Sequence, residues 1–153
     1  MDIIFIKTAL VTLFVALDPP GLAPIFMGLT SSMNDAQRAV TARRASLIAF
    51  GILACAALFG QALLNALGIS MPAFRIAGGL LLFYIASEMV FEKREQRKSN
   101  TAEEAVAHDA PQDIAAFPLA IPLMAGPGAI TATILQASAA GSNPVNLIAL
   151  VVI

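Results

Sequence analysis

Asp18 is the residue most able to do chemistry, and its neighbours decide which. It lies in Leu17-Asp18-Pro19-Pro20-Gly21-Leu22-Ala23-Pro24, inside an apolar run from Ile3 to Leu29. An acid within such a run either marks a proton or cation path or caps a helix start with its oxygen. Both readings stay open, and they are compatible, since protonation would release a cap. A second interruption, Ala125-Gly126-Pro127-Gly128, falls inside the run Ile114 to Ala140. Proline is well suited to the first turn of a helix because its missing N–H would be unpaired there anyway. Pro19 or Pro20, and Pro127, are therefore expected helix starts. Each start exposes N–H groups and the positive end of the helix dipole. Two such starts facing one another would seat a carboxylate or phosphate. Setting Pro20-Gly21 on Pro127-Gly128 places Ala125 where the first break has Asp18, so an anionic group is expected on the Gly126–Ala129 side. The expected substrate-binding or coupling residues are Asp18, Pro19, Pro20, Gly21, Pro24, Gly126, Pro127, Gly128 and Thr131.

The elements that must position these residues are membrane helices. The chain has 153 residues, 58% hydrophobic and 12% charged, with mean hydropathy +0.81. Soluble domains carry about 25% charged residues. The expected class is all-α: a polytopic helical membrane protein whose partner is the lipid bilayer. The first span, about Ile3 to Leu29, is read as retained rather than as a cleaved signal. A polar loop, Thr30 to Arg44, follows, with Ser31-Ser32-Met33-Asn34-Asp35 as a helix-start signal. Span two runs about Ala45 to Leu67 and span three about Ala73 to Phe91, with Gly51, Ala54, Ala56, Ala57 and Gly60 in the first and Gly78-Gly79 in the second as expected close-packing positions. The charged segment Glu92 to Asp113 reads as a solvated cytoplasmic loop. Span four is Ile114 to Ala140, and Val145 to Ile153 opens a fifth run, so the chain is expected to be truncated there. This gives a first three-span repeat over 1–91, a charged loop over 92–113 and an incomplete second repeat over 114–153. Three spans per unit would invert the second unit, and broken segments at matching places in two halves point to a transporter site near the bilayer midplane. Seven lysines and arginines in the loops on one side, against two elsewhere, place the N-terminus outside and loops 30–44 and 92–113 in the cytoplasm.

Several classes lose support. Net charge −1 gives no field for nucleic acid, and a lone Cys55 cannot form an internal disulfide. His108 reads as a solvated residue, and Glu88 as an interfacial one. There is no nucleophile set, phosphate loop or metal-ligand spacing. No enzyme activity, metal or cofactor is expected.

At the two breaks the chain resembles the MarC family of bacterial integral membrane proteins. The motif Asp-Pro-x-Gly-x-x-Pro-x-Phe is met by Asp18, Pro19, Gly21, Pro24 and Phe26, and Pro-Leu-Ala-x-Pro-x-x-Ala-Gly-Pro-Gly-Ala-Ile by Pro118 through Ile130. The resemblance implies a six-span inner-membrane protein, distantly akin to LysE-type exporters. The expected function is secondary transport, as an exporter of a small polar or zwitterionic solute, with a small-molecule or proton ligand at the breaks. The alternative is a non-transporting structural or regulatory membrane protein. The two differ in geometry: transport needs the breaks to converge on a polar cavity.

Overall fold

Proline placement decides where four helices begin. The computed structural model describes residues 3–91, 93–108, 113–141 and 143–153. Helix α1 is Ile3–Leu17 and α2 is Pro19–Leu29; α3 is Asp35–Ala66, α4 Met71–Val90, α5 Lys93–His108, α6 Pro127–Ala140 and α7 Pro144–Val152. α2, α4, α6 and α7 each carry proline in their first two positions, where no hydrogen bond is lost. α3 begins on a capping box: Asn34 Oδ1 accepts from Gln37 N–H at 2.9 Å, and Asn34 N–H donates to Gln37 Oε1 at 3.0 Å. The expected loop 30–44 is therefore helical from Asp35 onward. At 32 residues, α3 is about 48 Å long, more than the roughly 30 Å of a hydrocarbon core.

Three helical runs are long and apolar enough to cross a membrane: Ile3–Leu29, Asp35–Ala66 and Met71–Val90. The first comprises α1 and α2 together. The stretch Ala115–Met124 and α6 make a fourth candidate, bent by 60°. Ala115–Met124 is irregular: Phe117 and Ile121, each followed by a cis proline, are extended, as residues before proline prefer. It packs between α3 and α5, with Pro118, Leu119 and Ala120 buried. Irregular backbone survives at membrane depth only when it is covered in this way. No strand occurs among the described residues.

α6 is the hub, in contact with α1, α3, α4 and α7. Its approach to α3 and α4 depends on glycine. A Cβ at Gly60 would lie 2.6 Å from Ile134, and one at Gly78 would lie 2.7 Å from Thr131. Large apolar side chains such as Phe14, Leu47, Phe59, Leu80 and Phe83 point outward instead. Small residues inside and bulky apolar ones outside is the arrangement a bilayer favours, because lipid gives no drive to bury large side chains between helices.

The charged segment departs from its expected form. It is helical over Lys93–His108 and docks on α2, α4 and the irregular stretch. Arg94 and Ala102 are buried, and with Lys98 between them they form one stripe at four-residue spacing. Glu92 and Asp109 lie outside the described residues.

Candidate functional site

The first break begins with hydrogen bonds that cannot form. Pro19 and Pro20 have no N–H, so the carbonyls of Val15 and Ala16 lose their helical donors. Gly21 N–H would serve Leu17, but it donates to Asp18 Oδ1 at 3.2 Å. Asp18 itself has φ 54° and ψ 64°, a left-handed conformation that Asp tolerates better than most residues. Two cations from α5 replace the donors missing at Ala16 and Leu17. Arg94 Nη2 donates to Ala16 O at 2.7 Å, and Lys98 Nζ approaches Leu17 O at 3.5 Å. Both also face the carboxylate: Lys98 Nζ is 3.0 Å and Arg94 Nε 3.5 Å from Asp18 Oδ2. Asp18 is 8% exposed and Arg94 5%, so this is a buried ionic cluster. Burial holds the Lys98 ammonium below its usual pKa, although its hydrogen bond and charge attraction to Asp18 oppose the shift. Burial also lowers Arg94, again against the pull of Asp18.

The proline and glycine positions divide. Gly21 is buried beneath the carboxylate, where a Cβ would stand 2.5 Å from Asp18 Oδ2. Pro19, Pro20 and Pro24 face outward.

The second break is built differently. α6 starts at Pro127 with Gly126 as its N-cap, and no side chain caps it. The reason is steric: a Cβ at Gly126 would lie 2.6 Å from the Pro122 carbonyl oxygen. The N-caps are thus Asp18 and Gly126, and the first helical residues are Pro19 and Pro127. This pairing is one residue offset from the sequence match of Pro20-Gly21 with Pro127-Gly128. Gly128 sits against Ile85 of α4. Thr131 lies apart from the break, its methyl packed against Gly78, while Thr133 Oγ1 donates to Ala129 O at 2.8 Å.

A cavity of about 190 Å³ lies at the second break and reaches the end of α1 next to the first. Gly126, Pro127 and Gly128 line it, with Ala16, two residues before Asp18, from α1; Arg94, Arg97 and Lys98 of α5 complete the polar wall, and Asp18, Pro19, Pro20, Gly21, Pro24 and Thr131 do not line it. Gln136 Nε2 donates to Thr12 Oγ1 at 3.0 Å. With Ala16 near Gly128, that contact makes α6 antiparallel to α1. Ala16 of α1 and Leu81 and Ile85 of α4 line the cavity, and Arg94 bridges Ala16 O to Met89 Sδ beside it. Glu88, expected at the interface, is 7% exposed and pairs with Arg97 at 2.7 Å. Arg94, Arg97 and Lys98 are the site residues the sequence reading passed over. Their signal was the Arg94–Lys98 spacing of one helical turn, together with an intramembrane acid in need of a partner.

Apolar spans, an interrupted helix and a bent helix pair define a multi-pass helical membrane protein. The chain belongs to the MarC family of integral membrane proteins, matching it over residues 3–153. It is 40% identical over 145 residues to a membrane protein of Archaeoglobus fulgidus, covering 94% of this chain and 67% of that one. Identity to the membrane protein YvbG of Bacillus subtilis is 36% over 139 residues, covering 91% of this chain and 65% of the relative. Identity to the inner membrane protein MarC of Salmonella typhimurium is 38% over 136 residues, covering 87% and 62%. The chain therefore spans about three fifths to two thirds of the length of these relatives. No solved structure matches it.

Proposed function

We propose that the chain forms part of a secondary transporter in the inner membrane, exporting a small polar or zwitterionic solute through the cavity between the two breaks. The supporting observation is convergence: segments adjoining both Pro-Gly interruptions border the same space, and cations of α5 line it. In this reading Asp18 couples transport to protons, because protonation would weaken its hold on Arg94 and Lys98. The two breaks head inverted repeats, the N-terminus lies outside, and α5 lies toward the cytoplasm. No enzymatic step and no nucleic acid take part. The test is efflux from vesicles holding the full-length protein across an imposed proton gradient. Flux that requires the gradient and falls in Asp18→Asn supports the reading. Flux of no solute under any gradient refutes it.

A second reading has its own observation. Two cations already neutralise Asp18 and serve orphaned carbonyls, which is how a purely structural break would be repaired. A structural protein would show no flux, and Asp18→Asn would change stability alone.

A further inference from the structure

We infer that the cavity is a subsite for one compact anionic group, a carboxylate or phosphate, on a molecule with a short apolar portion. This deepens the transport reading and rests on the same cavity. The first argument is charge. Arg94, Arg97 and Lys98 line the wall, and no carboxylate does among the described residues. The nearby carboxylates, Asp18 and Glu88, lie behind the wall and pair with these cations. Arg97 pairs with Glu88, while Arg94 and Lys98, both nearly buried, share the single carboxylate of Asp18, which leaves one positive charge in excess there. An uncompensated charge away from water is costly, and a single bound anion removes that cost.

The second argument is the uncapped start of α6. Gly126, Pro127, Gly128 and Ala129 all line the cavity, and no side chain caps that helix. Its positive dipole end and first N–H groups therefore face the same space as the cations. The third is size. About 190 Å³ exceeds the roughly 30 Å³ share of one water several-fold, enough for a carboxylate or phosphate group. The opposite wall, with Leu81, Ile85 and Leu123, suits a short hydrocarbon.

The group could belong to a free solute or to a lipid headgroup, and one experiment separates them. The full-length protein is placed in phosphatidylcholine nanodiscs and titrated calorimetrically with inorganic phosphate, and separately with butyrate. Saturable binding of either is expected, weakened about tenfold in Arg97→Gln, the loss of one charge-assisted contact. Arg97 is half-exposed, so this variant should fold. Arg75→Gln, whose arginine bonds Ser138 elsewhere, should bind as the wild type does. Binding that is competed away when phosphatidylglycerol replaces phosphatidylcholine supports the subsite with a headgroup as its occupant. Binding that is indifferent to the lipid supports it with a free solute. No saturable binding in phosphatidylcholine, or binding unchanged in both Arg97→Gln and Lys98→Gln, overturns the inference. Gradient-driven flux of a neutral solute without anion binding would sink the subsite alone. Anion binding without any flux would sink the transport reading alone.

Discussion

The two Pro-Gly interruptions look alike in sequence and behave oppositely in structure. At the first, Asp18 caps its own helix and α1 and α2 continue as one 27-residue span. At the second, glycine caps nothing and the chain bends by 60°. The difference lies one position before the leading proline. An acid there satisfies Gly21 N–H but creates a buried charge, which α5 must neutralise. A glycine there, forced by the nearby Pro122 carbonyl, leaves the start of α6 open to a cavity. One break is closed by the protein's own groups, and the other opens onto a cavity.

The comparison can be broken most severely at Asp18. Asp18→Ala should cost about 3–5 kcal/mol, because two nearly buried cations lose their counter-charge. Asp18→Asn should cost less, since it retains an oxygen for Gly21 N–H. Unfolding of both variants in mild detergent gives the ranking; both lose the charge, so equal losses would mean that the cap hydrogen bond contributes nothing, and wild-type stability of both would mean that the ion pairs contribute nothing. Next is Gly126→Ala, expected to cost about 2 kcal/mol through overpacking against the Pro122 carbonyl, and read by the same assay. The wild-type stability of Gly126→Ala would show that the second break is not sterically constrained.

A sharper test uses pH. Burial depresses Lys98, with Asp18, Arg94 and Arg97 as the charges that act on it. Between its folded and unfolded pKa values the unfolded chain holds more protons. This residue's contribution to stability therefore rises with pH through that alkaline window. Anion affinity should fall through the same window, starting below the ordinary lysine range. Phosphate titrations across alkaline pH, with Lys98→Arg as a variant that keeps its charge, should show the fall flattened. The smallest effect belongs to the contact that ties α6 to α1. Gln136→Leu should cost about 0.6 kcal/mol, typical of an interhelical hydrogen bond in a membrane, and leave the cavity's affinity unchanged.

Much of this contrast was legible in the residue types. Proline and glycine at positions 19–21 and 126–128 marked both interruptions, Asn34 marked the start of α3, and Gly60 and Gly78 marked close helix contacts, whereas a Cβ at Gly51 or Gly79 would meet no neighbour. The docking of α5 was hidden because Lys, Arg and Glu at high density usually mean a solvated surface. Only the spacing of Arg94, Lys98 and Ala102 set one face of that helix apart. The 60° bend was also out of reach. Proline and glycine permit either a straight or a bent continuation, and the choice depends on which tertiary groups satisfy the freed backbone.

The carbonyls at the end of α1 carry a mechanical consequence. Pulling α5 away would strip Ala16 O and Leu17 O of donors where water is scarce, a penalty of several kcal/mol. α1, α2 and the start of α5 therefore travel as a single welded piece. Any rearrangement that widens the space beside Gly126 has its seam along α6, where glycines and small side chains face the neighbouring helices and the polar ties to be broken are Gln136 to Thr12 and Ser138 to Arg75.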